Sequence, residues 1–537
     1  MDSGMFCDGL DGLVAEGSFS VDDADYLRRV VLWGADLGLD ESMMRGKVVH
    51  RNYKSAFENK EKVTDALRSR VQGGKTLKLG DFTGRPSDLP GDVATVVPQG
   101  AVPKKLEKDK VRPFSDHTKT RFNKACLDTA RLRHSLNTYD EIAGELRPGY
   151  AMRVEDVDAA FPTLPLHPKV WKHMYVWWYD VDRPLEEQEG PNTLYVHVFA
   201  DFGTAPLPGL WDLFWRAVKL MAIRDGVLTC PMPHFVDDNS LIAPTVEEVD
   251  RIGDELTEYL RRLGVSFKVL KSMRGALVQL SLGFWWDSVA RTRTLDADKL
   301  SSYIDLFRAM AKRRVVTLGE LQSLAGKILR ASLTLPAGAR VFLTEILSLI
   351  RGLRLPWHRR RMTTAAREDL RAIADVLEAN VGRGYFDVSH LPWAPALYTD
   401  AMKDHRRAGW GWCDETGAAD SGVYGSSMRH KHIDELEGDA VRRAVRARGH
   451  TWRGKRVPVY IDNSAFQKSL AKGWSRARRL SVVIKDLYIL SAQHDFILVP
   501  YWISTVANVG ADALSRGDLE AYENWARTHF ASAVWGP

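Results

Sequence analysis

The chain has 537 residues, 45% of them hydrophobic and 27% charged, with a formal net charge of +6. That length predicts three or four domains rather than one, and the balance excludes a disordered or fibrous chain. No apolar run approaches a membrane span, Met1 to Gly17 is acidic rather than basic, and Cys7, Cys126, Cys230 and Cys413 form neither a zinc spacing nor a disulfide framework, so a reducing interior, cytoplasm or nucleus, is expected without membrane or secretion.

Residues 1–45 read as a helical N-terminal extension, with Asp22-Asp23 behind Ser20 as a helix start. Asn52 to Gly80 reads as helix broken at Gly73-Gly74. The run around Lys105 and Lys110 is, by itself, a solvated charged face. Arg153 to Phe161 is a short β-prone segment ending in acids, stopped by Leu164-Pro165-Leu166-His167-Pro168. His234-Phe235-Val236-Asp237-Asp238-Asn239-Ser240-Leu241-Ile242-Ala243 is an apolar run, an acidic pair and a second apolar run, the pattern of a β-hairpin with acids at its tip. Two carboxylates held together are costly unless a cation shares them, and Mg²⁺ with oxygen ligands is the natural one. Asp156, at the end of another strand, could meet them on a common sheet. Thr245 to Leu263 is amphipathic helix, giving a strand-then-helix order.

Asp296 to about Leu355 reads as helical, with Thr317 and Glu320 forming a capping box. Ala365 to Asn380 is another helix, and Gly382-Arg383-Gly384 reads as a joint. Beyond it, Ala396 to Ala401 is a strand ending in an acid, and Ala408 to Trp412 a second strand. Ile433 to Val441 opens a helix with an acid-rich first turn. Val457 to Asn463 is another strand ending in an acid, and Asn508 to Arg516 begins a final helix. Acids at strand ends and on two helices can converge above one sheet, as a two-metal nuclease requires.

Asp156-Val157-Asp158-Ala159-Ala160-Phe161 resembles the first catalytic motif of reverse transcriptases, and Phe235-Val236-Asp237-Asp238 resembles their Tyr-x-Asp-Asp motif. Other blocks follow in the family's order. Lys105 with Lys110-Val111-Arg112-Pro113-Phe114-Ser115-Asp116 resembles the fingers segment that holds the triphosphate. Phe202-Gly203-Thr204-Ala205-Pro206-Leu207-Pro208 resembles the block packed against template and nucleotide. Leu263-Gly264-Val265 with Lys271-Ser272 resembles the motif whose Lys approaches the pyrophosphate, and Leu282-Gly283-Phe284 the primer-grip turn. The resemblance implies that Asp156, Val157, Asp237 and Asp238 hold two Mg²⁺, with Mn²⁺ as a substitute. It implies that Lys105, Arg112, Phe161, Phe202, Gly203 and Lys271 bind the dNTP, with Phe161 as a steric gate and Lys271 as a general acid.

In the last third, Thr-Asp-Ala, Glu-Leu-Glu-x-x-Ala-Val, Ile-Asp-Asn and Asn-x-x-Ala-Asp-Ala-Leu-Ser-Arg resemble the four acidic motifs of ribonuclease H. The implied ligands of a second Mg²⁺ pair are Asp400, Glu437, Asp462 and Asp512, with Glu437 chosen over Glu435 because Ala440-Val441 follow at the family's interval. Three departures stand out. Tyr501 to Ala507 lacks the His and the Pro-Gly common in retroelement ribonucleases H, which implies slow turnover if that His aids product release. Phe235 replaces Tyr, and Asp158 stands where many retroelements have Lys.

The expected fold is an α+β right-hand polymerase followed by an α/β ribonuclease H-like domain. Its parts are fingers and palm at 46–290, a helical thumb or connection at 291–385 and the nuclease-like domain at 386–537. The implied partners are an RNA template, a DNA primer, an RNA–DNA hybrid and dNTPs. The segment Gly326 to Phe342 and the Ala-Asp-x-Leu-Ser-Arg ending most resemble DIRS-type, tyrosine-recombinase retrotransposons. No protease, integrase or recombinase is recognisable, which leaves an element-encoded recombinase or coat protein to another chain. Arg359-Arg360-Arg361, the run Arg442, Arg443, Arg446, Arg448, Lys455 and Arg456, and Arg476, Arg478 and Arg479 are basic clusters beside aromatics that suit a phosphate backbone. Two rivals are a host protein that binds nucleic acid without polymerising and an RNA-templated RNA polymerase; intact acids argue against the first, Phe161 and the nuclease motifs against the second.

Overall fold

The computed structural model describes residues 2–103, 111–132, 138–335 and 340–530, and the chain divides into two compact units, Met1–Gln279 and Leu280–Pro537.

In the first unit a four-stranded antiparallel sheet runs in the order Met273–Ala276, Ala151–Asp156, Asp238–Ala243, His234–Phe235. Helix Val246–Arg262, capped by the Thr245 side chain on Glu248 N–H, turns Val249, Ile252, Leu256 and Leu260 into the core against this sheet. Helix Leu207–Arg224 buries Trp211, Phe214 and Trp215, whose large apolar surfaces supply much of its core contact. A five-stranded sheet, ordered Lys47–Val49, Ala94–Val96, Tyr175–Trp178, Thr193–His197, Thr76–Asp81, and a separate hairpin of Gln99–Pro103 with Val111–Ser115 complete the unit.

Residues 1–45 are not an appendage to this core. Helices Ser3–Ala15 and Val21–Trp33 bury Phe6, Leu10, Leu13, Leu27 and Val30 in the same cluster as Trp211 and Trp215, and the Phe6 ring stacks on Phe214 at 5.0 Å. Their helical character was legible; the partner, some two hundred residues on, was not.

The second unit begins with small strands, Val278–Ser281, Phe284–Asp287, Thr292–Leu295 and Arg383–Tyr385, in one sheet. Leu282 and Gly283 form the two-residue turn of its first hairpin, both with positive φ, as a primed turn requires. Thr317 and Glu320 form the expected capping box of helix Leu318–Ser332. Gly382-Arg383-Gly384 is not a free joint. Arg383–Tyr385 pairs with Thr292–Thr294, and a Cβ on Gly384 would collide with the Thr334 carbonyl.

The last sheet is mixed, ordered Ala419–Val423, Ala408–Asp414, Leu397–Lys403, Arg456–Ile461, Ile497–Trp502, antiparallel in the first three strands and parallel in the last three. Helix Val509–Arg516 lies close on it because Gly409 and Gly411 carry no Cβ to meet Ser515 and Leu514.

Helices Thr364–Ala379 and Arg478–His494 are joined by an ion pair between Asp369, fully buried, and Lys485. Burial pushes the Asp369 carboxyl up to about 6 despite the ammonium beside it. Lys485→Met therefore strands a buried acid and is expected to destabilise the second unit by about 3–5 kcal/mol. Urea unfolding measures this, and the double variant Asp369→Leu with Lys485→Met should recover most of the loss; a Lys485→Met protein as stable as the parent would refute it.

Candidate active sites

In the first unit the antiparallel register sets Asp238 opposite Asp156. Val236 and Asp237 are the turn between Phe235 and Asp238. Val236 has φ 58°, a left-handed conformation that a β-branched residue adopts at a cost of about 1–3 kcal/mol and only where its surroundings hold it. They do so here. The Trp211 indole N–H donates to Val236 O at 2.7 Å, and Trp215 donates to Asn239 Oδ1 at 2.7 Å. Asn239, fully buried, donates in turn to Asp237 O at 3.0 Å. Behind the hairpin, Lys219 Nζ lies 2.9 Å from His234 Nδ1, whose Nε2 faces Asp212 at 3.1 Å.

Val157 is buried and its N–H donates to Asp237 O at 2.9 Å, so backbone ties the two acid-bearing segments together. Burial and the neighbouring Asp156 raise the Asp237 carboxyl above its ordinary range, against the pull of Lys271 and Arg112. Lys271 Nζ sits 2.6 Å from Asp156 Oδ2. Burial opposes its charge, but Asp156, Asp237 and Asp238 raise its pKa. The residue expected at the pyrophosphate is thus a cation engaged with a carboxylate. Asp158 lies 3.9 Å from Lys268, which offsets the added negative charge.

Three of the expected nucleotide-binding residues form a stack: the Arg112 guanidinium lies 4.9 Å above the Phe202 ring, and Phe202 meets Phe161 edge-on at 5.4 Å. Phe161 is a core residue, 9% exposed, packed against Phe202. Gly203 is needed for its own backbone: φ is 108°, and a Cβ would strike the Ser115 carbonyl. Lys105 lies outside the described residues.

Beneath Phe202-Gly203 lies a buried network. Ser115 donates to Asp201 Oδ2 at 2.6 Å, Arg70 approaches its other oxygen at 3.6 Å, and Thr76 Oγ1 meets His197 Nδ1 at 2.7 Å. Burial pushes His117 and nearby His173 down to about 4 and His197 down to about 3. An unfolded histidine takes its proton near 6.5. Between that pH and about 4 the unfolded chain binds protons that these three refuse, so their stabilisation is complete above pH 7 and is lost as pH falls. The expected loss at pH 5 is about 2 kcal/mol per histidine. Hydrogen-exchange protection of strands Tyr175–Trp178 and Thr193–His197 at pH 7.5 and pH 5 reads it; equal protection would exclude the effect.

In the second unit, carboxylate oxygens of Asp400, Glu437 and Asp462 lie within 4.8 Å of one another, a grouping that Asp156, Asp237 and Asp238 do not form among the described residues. Asp400 is 4% exposed on strand Leu397–Lys403, Glu437 is 3% exposed on helix Ile433–Arg448, and Asp462 follows strand Arg456–Ile461. Glu437, not Glu435, faces the cluster; Glu435 pairs with Lys431. Burial, with Asp462 and Asp512 adding to it, pushes Asp400 up to about 7, opposed by Ser515 and Arg516. Burial and the charges of Asp400 and Asp462 raise Glu437 well above the carboxylate range. Glu437 Oε2 is buried without a hydrogen-bond partner. Hard oxygen donors, repelling one another and under-satisfied, fit a divalent cation. Asp512 stands outside the cluster, held by Arg516 Nε at 2.9 Å from each oxygen.

Sequence reasoning missed Asn508, whose buried amide donates to Thr399 O at 3.0 Å, and the contacts of Trp502 and Thr505 to Asp462. The loop's lack of the usual His was the only signal. Several basic residues expected to meet phosphates are committed elsewhere: Arg442 and Arg443 to Asp439, Arg442 also to Asp486, Arg448 to Asp414, and Arg479 to Asp434. Their partners are acids of the same unit, some over forty residues away.

No protein-family model and no curated protein matches the chain. Solved structures of the foamy viral protease-reverse transcriptase are similar to it. One, termed dRH and in complex with double-stranded DNA, is 17% identical, covering 93% of this chain and 81% of that one at a TM-score of 0.45. A second, in complex with an RNA/DNA hybrid, is 17% identical over 93% of this chain and 63% of that one at 0.44. A third, with double-stranded DNA, is 17% identical over 93% and 97% at 0.45.

Proposed function

We propose that the chain is a reverse transcriptase with a fused ribonuclease H, copying RNA and then DNA into DNA from dNTPs and cutting the RNA strand of the hybrid. The supporting observation is that each of two sequence-separated acid sets is brought together by a sheet: Asp156 opposite Asp238 with Asp237 in the adjoining turn, and Asp400, Glu437 and Asp462 within 4.8 Å.

In the first site Asp156, Val157, Asp237 and Asp238 would hold two Mg²⁺, and in the second Asp400, Glu437 and Asp462 would do so with Asp512 at their edge; Mn²⁺ is a chemical substitute. Bound there, such ions activate an attacking oxygen and stabilise the leaving one. The chain's own work is positioning. Arg112, fixed over Phe202, offers a forked donor to the triphosphate, and Lys105 and Lys271 add cations. Phe161, held by Phe202, limits room at the sugar. Gly203 keeps the Phe202 segment against Ser115.

Within retroelements, the Gly326 to Phe342 segment favours DIRS-type kinship, although residues 336–339 of it lie outside those described. Such an element would supply its recombinase or coat protein on another chain and act inside the cell. No helix of the described residues is long and apolar enough to cross a membrane. The test is primer extension on a 5′-labelled RNA template with Mg²⁺ and dNTPs, reading DNA product and RNA cleavage together. Both products are expected; a hybrid that is bound but neither extended nor cut would favour a binding protein, and extension with NTPs alone an RNA polymerase.

A further inference from the structure

Residues Tyr501 to Asn508 join strand Ile497–Trp502 to helix Val509–Arg516, and the segment is stitched down at four points. Ile503 N–H donates to Ile461 O at 3.1 Å, the Trp502 indole donates to Asp462 O at 2.9 Å, and Thr505 Oγ1 donates to Asp462 Oδ2 at 2.9 Å. Asn508 donates to Thr399 O at 3.0 Å from a fully buried position. The two strands so gripped are neighbours, with Thr399 opposite Ile461, and they carry Asp400 and Asp462. One loop therefore ties down the two neighbouring segments that present two of the three clustered acids.

The anchors differ in kind. Three fix backbone: Ile461, Asp462 and Thr399 are held by their carbonyls. The fourth, Thr505, is the one that touches a carboxylate of the cluster. Asp462 is half-buried beside Glu437, and a carboxylate just past a strand end keeps rotamer freedom unless a donor holds its head. Thr505 is itself exposed, so its hydroxyl adds little to the fold. A donor on a carboxylate oxygen fixes the orientation of a metal ligand, and loss of such a partner typically weakens metal affinity 10–100-fold.

Resting on the ribonuclease H reading of this cluster, we propose that Thr505 is a positioning residue that holds the Asp462 carboxylate in the orientation that binds a divalent cation with Asp400 and Glu437. The loop does with a fixed hydroxyl what a side chain free to move could not: it sets the ligand before the ion arrives.

The test titrates Mn²⁺ calorimetrically into the full chain carrying D237N and D238N, so that the ions counted belong to the second cluster. Thr505→Val is expected to weaken Mn²⁺ binding about tenfold, and Thr505→Ser to bind as the parent does, with melting temperatures equal in all three. A Thr505→Val protein that binds Mn²⁺ as tightly as its parent overturns the proposal, as does a Thr505→Ser protein as weak as Thr505→Val. The ribonuclease reading fails separately, by a full chain that binds Mn²⁺ at this cluster yet leaves the RNA of a hybrid intact.

Discussion

Replacing Asp237 and Asp238 together by Asn is expected to abolish nucleotide incorporation and at the same time to make the first unit more stable. The loss follows from charge. Asp156 faces Asp238 across adjacent strands with Asp237 in the tight turn, so the two substitutions remove two of the three carboxylates that would hold the reacting phosphates' counter-ions. Lewis-acid and nucleophile-activating effects of this sort supply several kcal/mol, and each 1.36 kcal/mol is tenfold in rate, so a fall of about 10³-fold or more is expected. The gain follows from the same geometry. Asp237 carries a raised pKa because it is buried beside Asp156, which means its ionised form is disfavoured in the folded state. Asn has no charge to bury. Primer extension and urea unfolding of one preparation read both effects. Incorporation at the parent's rate would remove these residues from the site, and stability below the parent's would show that Lys271 and Arg112 outweigh the repulsion.

Replacing Asp400 by Asn is expected to reduce cleavage of the RNA strand by about 10³-fold, on the same metal-ligand argument, and to flatten a pH trend in the second unit. Asp400 sits at about 7 in the fold, chiefly through burial, against about 3.9 for a free aspartate. A raised carboxyl is protonated in the folded state where the unfolded chain has already lost its proton. The metal-free second unit is therefore more stable at pH 5 than at pH 7.5, losing a few kcal/mol as pH climbs from about 4 through 7. Asp400→Asn removes that contribution and leaves Glu437, raised for the same reason, to supply the rest. Exchange protection of strand Leu397–Lys403 is the readout, because the buried histidines give the first unit the opposite slope. A parent protein whose strand is better protected at pH 7.5 than at pH 5 without metal would contradict this account.

The acids were legible in the sequence because the motifs around them follow one another in the order of known families, since any one acid alone reads as a turn residue. Asp156, Asp237, Asp400 and Asp462 stood out by that resemblance, and Glu437 was chosen over Glu435 because Ala440-Val441 follow it at the family's interval. Local chemistry was legible too, in the Thr317 capping box and the amphipathic pattern of Val246–Arg262. What could not be read was pairing over distance. Trp215 holds Asn239 from 24 residues away, Lys271 reaches Asp156 across 115, and Thr505 reaches Asp462 across 43. No periodicity encodes such contacts. The same blindness hid the partners of Arg442, Arg443, Arg448 and Arg479, since a basic cluster in sequence does not show the acids that fold onto it. Phe161 was singled out for its position in a motif, and its packing against Phe202 was one more contact that the sequence did not display.

The stacking of Phe6 on Phe214 bears on how the chain is made. Helices Ser3–Ala15 and Val21–Trp33 emerge from the ribosome early, but the aromatic helix that covers them is finished about two hundred residues later. At typical elongation rates the apolar faces carrying Phe6, Leu10 and Leu13 stay uncovered for roughly 10–40 s. Throughout that interval the nascent chain presents hydrophobic surface for whatever shields such surface in the cell.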